Sequence, residues 1–205
     1  MVLAGQFLER PALVPVEPDG GLTLEGLYHR GRRRPSLLVC PDPGPGAGMD
    51  APAVAELAWA SAREGHASLR FQHRGRGASQ GEVDPTRALD DALAALRHLR
   101  ESVRGPIAVA AVGGGCGTAL ALAQGHPEID RLVLVAPPVV PATEGVRAAV
   151  LAILPEAGGP PVADVAAAVG EGGRVEVVAG ADARFLSGLP AVGKIAMEWI
   201  RAWGP

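Results

Sequence analysis

A glycine-rich turn between an apolar strand and a helix is the segment with the most potential for chemistry. It reads Gly113-Gly-Gly-Cys-Gly117 and joins the strand predicted over Pro106–Val112 to the helix predicted over Thr118–Gln124. Small residues permit a tight turn that lifts its central side chain above a sheet, and amides at a helix N-terminus attract anions. The central residue, Gly115, has no side chain to react, whereas Cys116 next to it carries a thiol. Taken alone, the turn fits a nucleophile site and a phosphate-binding loop equally.

His73 is a second candidate for chemistry. It begins the loop His73-Arg-Gly-Arg-Gly77 at the end of the strand predicted over Ala67–Phe71, and ligands of open α/β folds bind at that edge of the sheet. No Asp or Glu is evidently placed to orient its ring, which favours a structural or exposed histidine. In the same loop, Arg74 and Arg76 are the basic side chains that an anion site at the glycine-rich turn would need.

The two cysteines, Cys40 and Cys116, are too few for a disulfide framework, and neither has metal-ligand spacing with the five histidines. Cys40 ends a strand expected to lie beside the strand that precedes the glycine-rich turn. A redox pair is therefore one hypothesis, although neighbouring strands do not by themselves supply disulfide geometry. The favoured interpretation of Cys116 is a small residue packed beside the turn. No metal and no cofactor are expected.

Short apolar runs alternate with longer helical patterns, which predicts a mostly parallel sheet covered on both faces. Besides the two named above, the predicted strands are Leu22–His29, Ser36–Cys40, Leu132–Val135, Val150–Leu154 and Arg174–Val178. The other predicted helices are Ala51–Glu64, Pro85–Arg100 and Ala191–Trp203. In the second of these, apolar residues recur as a buried stripe at Leu89, Leu93, Leu96 and Leu99.

Composition narrows the class of protein. The 205 residues suit a single domain over 1–205, with 48% hydrophobic and 20% charged residues. A net charge of −3 without a large basic cluster argues against a nucleic-acid surface. The first twenty residues lack the pattern of a signal peptide, and no uninterrupted apolar stretch is long enough for a membrane span. A cytoplasmic protein is expected.

Four segments carry a resemblance to a known family when they are taken in order. They are Pro41–Asp50 (PDPGPGAGMD), Leu69–Glu82 (LRFQHRGRGASQGE), the helix Asp90–Leu99 and Leu132–Pro138 (LVLVAPP). Together they resemble a compact bacterial group of the α/β-hydrolase superfamily, similar to dienelactone hydrolase-like and small esterase-like proteins. The resemblance implies an α/β-hydrolase-type three-layer sandwich with a mostly parallel central sheet and no cap domain.

The same resemblance implies that the catalytic positions are degenerate. The family nucleophile maps to Gly115, the centre of a G-x-S-x-G pattern. The acid maps to Gly158 in Leu154–Gly159 (LPEAGG), and the base maps to Ala183, where a histidine would follow Gly180-Ala-Asp. Glycine supplies no nucleophile and alanine moves no proton, and the loss of any triad member typically costs several orders of magnitude in rate.

The loop after the third strand contributes to the oxyanion hole in that group and usually carries histidines. Here Cys40 and Asp42 stand at what resemble the histidine positions. The candidates for a pocket or oxyanion loop are Pro41, Asp42, Pro43, Gly44, Gly114 and Cys116.

The leading hypothesis is a pseudo-hydrolase that binds a small molecule or acts as a subunit or scaffold, with a protein partner or as a homo-oligomer. Trp199 and Trp203 could supply an apolar contact surface, although a core role for at least one is favoured. The alternative is a small esterase or thioesterase that uses Cys116, or a relocated nucleophile, with His73 as the base. A third hypothesis is an anion-binding module built on the amides of the glycine-rich turn and Arg74 or Arg76.

Overall fold

Eight strands form the frame of the molecule. A computed structural model describes residues 8–17 and 21–202. The strands are β1 Arg10–Val16, β2 Leu22–His29, β3 Arg33–Cys40, β4 His66–Phe71, β5 Ile107–Val112, β6 Arg131–Val135, β7 Ala149–Pro155 and β8 Arg174–Val178. The helices are α1 Pro52–Arg63, α2 Ala88–Ser102, α3 Gly115–Gly125, α4 Val162–Val169 and α5 Leu189–Arg201.

The strands pair in the order β1-β2-β4-β3-β5-β6-β7-β8. Only β2 runs against its neighbours, because it pairs antiparallel with both β1 and β4, while every pair from β4 to β8 is parallel. The predicted mostly parallel sheet is therefore confirmed. Because parallel strands end at one edge, the loops after β3, β5, β7 and β8 meet along that edge.

Alternating side chains divide the core between the two faces of the sheet. In β3, Leu38 points into the cluster formed with α2 and α3, whereas Leu37 and Val39 point into the cluster formed with α1 and α5. The helices on both sides complete the predicted three-layer sandwich. The segment 136–148, between β6 and β7, contains no helix, in keeping with the absence of a cap.

Two elements were not predicted from the sequence. Strand β1 contains Pro11 and Pro15, which weaken a strand pattern but are tolerated because β1 is an edge of the sheet. Helix α4 spans 8 residues and buries only Val165, so it has little apolar periodicity to detect.

The boundaries of all four predicted helices also moved, by one residue at each end of α1. Helix α2 begins at Ala88, after a 3-10 turn over Pro85–Arg87, and ends at Ser102. Helix α3 begins at Gly115 rather than at Thr118, and α5 begins at Leu189 rather than at Ala191. In α2, Leu96 and Leu99 are buried while Leu89 and Leu93 only pack against the edge of the core. Trp199 is half-buried, and Trp203 lies outside the described residues. Within the described ranges, every helix is too short or too polar to cross a membrane.

Candidate functional site

The turn between β5 and α3 has its apex at Gly113. Its φ of 59° lies in the left-handed region, and its N–H donates to the carbonyl of Val135 at 2.9 Å. The predicted nucleophile position, Gly115, lies two residues later in the first turn of α3. In a nucleophile elbow the residue at the apex presents its side chain above the sheet; in this turn the residue at the apex is Gly113.

Gly115 has a packing role that explains its identity. A Cβ at this position would lie 2.5 Å from the carbonyl oxygen of Pro41 and 2.8 Å from that of Cys40. Both contacts are with backbone, which cannot rotate away, so only glycine lets α3 approach the end of β3 this closely. The frame small-x-apex-x-Gly also fits Ala111 to Gly115, and this second register is the signal that could have located the apex.

The carboxylate of Asp42 occupies the space directly above the apex. Its Oδ2 accepts the backbone N–H of Gly114 at 2.8 Å, and its Oδ1 accepts that of Gly44 at 2.6 Å. A Cβ on Gly113 would lie 2.5 Å from Oδ2. In an acyl-transfer enzyme of this architecture, the N–H after the nucleophile and one from the loop after β3 would hold the oxyanion. Here a side chain of the protein fills that position.

The rest of the loop after β3 is held by its own carbonyl groups. The carbonyl oxygen of Pro41 faces the ring of His73, and that of Pro43 accepts a hydrogen bond from Arg76 at 3.2 Å. Of the predicted oxyanion-loop residues, Asp42, Gly44 and Gly114 come together in one hydrogen-bonded group, and the two prolines anchor it.

The positions predicted for the acid and the base lie side by side. Gly158 follows β7 and Ala183 follows β8, and a Cβ on Gly158 would lie 3.9 Å from the Cβ of Ala183. Both residues are exposed at the carboxyl edge of the sheet. The backbone thus brings these two loops into contact, but neither residue carries an acidic or basic side chain.

Neither thiol is poised to react. The side chain of Cys116 is buried, with Sγ 3.6 Å from the carbonyl oxygen of Val135 and 3.7 Å from that of Ala111. Burial raises the pKa of Cys116 far above its ordinary value, and it raises the pKa of Cys40 to about 12. Cys40 and Cys116 are both free, although β3 and β5 do pair as expected, with Cys40 opposite Ala111.

His73 does have an acidic partner, contrary to the expectation from the sequence. Its Nδ1 lies 3.2 Å from Oδ2 of Asp91 on α2, and its Nε2 lies 3.2 Å from the carbonyl oxygen of Pro41. Because both partners are acceptors, both contacts are hydrogen bonds only when each nitrogen carries a proton. The ring is buried and each of its nitrogens lies against an acceptor of the protein, so neither nitrogen faces open solvent.

Asp91 is the residue that the sequence reasoning missed. Its carboxylate is fully buried and also accepts the backbone N–H of Arg74 at 3.1 Å and its Nε–H at 2.8 Å. Burial by itself raises the pKa of Asp91, but the hydrogen bonds from His73 and Arg74 outweigh burial and hold that pKa below its ordinary value. A helical Asp near an N-terminus is easily attributed to the helix dipole, so the sequence offered no distinct signal for this role.

The third hypothesis, an anion site, needs backbone amides and arginine side chains that already form hydrogen bonds within the protein. The amide of Gly114 is bonded to Asp42, Arg74 is bound to Asp91, and Arg76 donates to Pro43. Across residues 8–17 and 21–202, no group of three or more His, Cys, Asp or Glu side chains could hold a metal ion.

A groove of about 340 Å³ opens beside the turn. One wall is the start of α3, including Gly114, Leu120 and Ala121, and the other is the segment 137–142 that follows β6. Val139 and Val140 on this segment are 68% and 38% exposed. The groove is therefore an apolar, partly open space whose lining includes Gly114.

Comparisons with known proteins agree with this architecture. The sequence model of the family described as serine aminopeptidase, S33, matches residues 44–162. A solved α/β serine hydrolase homologue from Coxiella burnetii superposes with a TM-score of 0.79 at 22% identity, with 100% of both chains covered. A lid-less α/β serine hydrolase from Xanthomonas campestris gives a TM-score of 0.73 at 20% identity over 96% of each chain. No curated protein matches the sequence. At these identities the structural likeness establishes the fold alone.

Proposed function

The chain belongs to the serine aminopeptidase S33 family of α/β-hydrolase-fold proteins, and we propose that it is a catalytically degenerate member that acts by binding instead of hydrolysis. The observation that carries the proposal is the Asp42 carboxylate, which is bonded to the N–H groups of Gly114 and Gly44 above the apex Gly113. We further propose that the chain acts as a single domain over 1–205.

The electrostatics of this arrangement oppose ester or amide hydrolysis. Acyl transfer develops negative charge on the carbonyl oxygen, and N–H donors aimed at that oxygen stabilise the transition state. With Asp42 in place, both donors are already used and a carboxylate stands where the negative charge would form. Loss of one such donor alone typically lowers kcat by about 10²–10³.

The three catalytic positions support the same conclusion. With the apex at Gly113, the nucleophile position carries no side chain, and the acid and base positions hold Gly158 and Ala183. The thiol of Cys116 does not replace a nucleophile, because burial raises its pKa and its sulfur lies in the core against the carbonyl oxygens of Ala111 and Val135. Both ring nitrogens of His73 lie against acceptors of the protein, the carboxylate of Asp91 and the carbonyl of Pro41.

An esterase assay tests the proposal directly. The purified protein is incubated with short-chain p-nitrophenyl esters and thioesters beside Cys116→Ala and His73→Ala variants, with folding checked by circular dichroism. The expected result is no turnover above background in any of them. A Lys194→Arg variant controls for non-specific acylation of that exposed amine.

Turnover by the wild-type protein would overturn the proposal. Loss of that turnover in Cys116→Ala would identify the thiol as the nucleophile and favour the esterase or thioesterase alternative. Loss only in His73→Ala would instead point to a relocated nucleophile served by that histidine.

A further inference from the structure

The groove beside the turn has mostly apolar walls, and a carboxylate lies next to one residue of its lining. Leu120 and Ala121 of α3 line the groove together with the 137–142 segment, and Gly114 is also part of the lining. Asp42 is not itself a lining residue, but its Oδ1 lies 2.9 Å from the place of a Cβ on Gly114, so the carboxylate lies directly beside that residue.

The Asp42 carboxylate is held rigidly without being neutralised. Two backbone N–H groups fix its orientation, while each carboxylate oxygen keeps lone pairs for a further donor. Within residues 8–17 and 21–202, no Lys, Arg or His nitrogen forms an ion pair with Asp42. The nearby Arg76 donates to the carbonyl of Pro43 instead. A half-buried carboxylate beside an apolar surface is complementary to a cation that brings apolar surface of its own.

We propose that this groove binds a small primary amine with a short apolar chain, with the ammonium group on Asp42 and the chain between α3 and the 137–142 segment. This inference rests on the proposed binding function and names the class of ligand. An ammonium group donates up to three hydrogen bonds, which suits the outward lone pairs of a carboxylate whose other side is occupied by backbone amides.

The size of the groove sets the length of the ligand. A volume of about 340 Å³ lies at the lower end of the range of small-molecule sites. Burial of each additional methylene group should raise affinity about fourfold until the chain reaches Val139 and Val140 at the open end. Affinity should then stop rising with chain length.

A titration followed by ¹H–¹⁵N correlation spectra tests the inference. The protein is titrated with n-butylamine and n-hexylamine, and separately with hexan-1-ol and hexanoate, which have the same chain with no charge or the opposite charge. The expected result is saturable shifts at Gly114 and Gly117, a lower Kd for hexylamine than for butylamine, and at least tenfold weaker binding of both controls. Equal binding of hexanol, or no saturation by hexylamine, would overturn the proposal.

Variants measure the contribution of the Asp42 charge to binding separately from that of the groove. Asp42→Asn keeps an acceptor oxygen but removes the charge, and it should weaken hexylamine binding at least tenfold while leaving hexanol unaffected. Ala121→Phe should weaken binding of both by filling the groove. Asp164→Asn removes an exposed carboxylate of α4 and should change neither. Unaltered amine binding in Asp42→Asn would contradict the inference even if the wild-type protein binds amines.

The esterase assay run on the same samples keeps this inference distinct from the proposed function. Ester turnover together with Asp42-dependent amine binding would overturn only the proposed loss of hydrolysis. No turnover and no amine binding would overturn only the ligand class.

Discussion

At the scale of single residues, two glycines of one turn have different physical reasons to be glycine. Gly113 has a left-handed backbone and would direct a side chain toward the carboxylate of Asp42. Gly115 has an ordinary helical backbone and would direct a side chain into the carbonyl oxygens of Pro41 and Cys40. The first obstacle is a side chain and the second is backbone, so the two should respond differently to substitution.

We expect Gly115→Ala to lower the free energy of unfolding by about 3 kcal/mol, the upper end for overpacking, because the backbone it meets cannot move aside. Gly113→Ala should cost about 1–2 kcal/mol from its left-handed backbone, with an added term from Asp42. Urea denaturation measures both values.

A double-mutant cycle with Asp42→Ala gives the control. Removing the carboxylate should relieve about 1 kcal/mol of the cost of Gly113→Ala and none of the cost of Gly115→Ala. Coupling of Asp42 to Gly115 instead would contradict the placement of the carboxylate above Gly113.

The assignment of Gly158 and Ala183 to the acid and base positions follows from the family resemblance and stays a prediction, although the two residues do lie close together. The sequence did not allow the apex to be placed, because three consecutive glycines satisfy two registers of the same motif. Nor could it show that Asp42 reaches the amide of Gly114, a contact between residues 72 positions apart.

At the scale of elements, the buried carboxylate of Asp91 bonds α2 to the loop that follows β4. Asp91 on α2 accepts hydrogen bonds from His73 and from Arg74, and all three side chains are almost fully buried. This contact fixes the loop that in turn supports the carbonyl of Pro41 under the candidate site.

We expect Asp91→Asn to destabilise the fold by about 3 kcal/mol at pH 7, because it removes the negative charge from a buried ion pair with Arg74. Asp90→Asn is the matched control: its pair with Arg87 is about 40% exposed on both sides and should be worth less than about 1 kcal/mol.

The pH dependence of the stability of the wild type and of Asp91→Asn tests whether the ionised carboxylate of Asp91 causes the difference between them. Because the pKa of Asp91 is lowered from 3.8 in the folded state, its stabilisation is complete above that value and is lost as pH falls through the folded pKa. The stability difference between wild type and Asp91→Asn should therefore be constant from pH 7 to about 5 and shrink below about 4. A difference that persists unchanged in acid would contradict this assignment.

Elements were predicted well where apolar periodicity was strong and poorly where it was not. Strands β2 and β8 match their predicted bounds because turn residues punctuate them. Helix α3 was predicted to begin at Thr118, since glycines have low helix propensity, yet the helix begins at Gly115 because close packing on β3 overrides propensity.

At the scale of the whole molecule, the strand order brings four loops from distant parts of the chain to one edge. The loops after β3, β5, β7 and β8 carry Asp42, Gly113, Gly158 and Ala183 in that order. The backbone frame of a hydrolase is therefore retained. Under the proposed loss of the catalytic side chains, hydrolysis could be partly rebuilt on this frame.

We expect the combined variant Gly113→Ser, Gly158→Asp, Ala183→His and Asp42→Ala to hydrolyse p-nitrophenyl acetate above background. The same variant with Asp42 retained should be at least about 100-fold slower, because the carboxylate occupies the N–H groups that the oxyanion needs. Initial rates and the mass of an acyl adduct on the new serine are the measurements. Equal rates with and without Asp42 would show that its carboxylate does not block the site.

The hydrogen bond from Gly114 to Asp42 has a kinetic consequence as well. The amide proton of Gly114 can exchange with solvent deuterium only while its hydrogen bond to the carboxylate is broken, because a hydrogen-bonded N–H is protected from exchange. The exchange rate of this single amide proton therefore reports how often the hydrogen bond between Gly114 and Asp42 breaks. It yields the free energy of opening in the native protein, without any substitution or bound molecule.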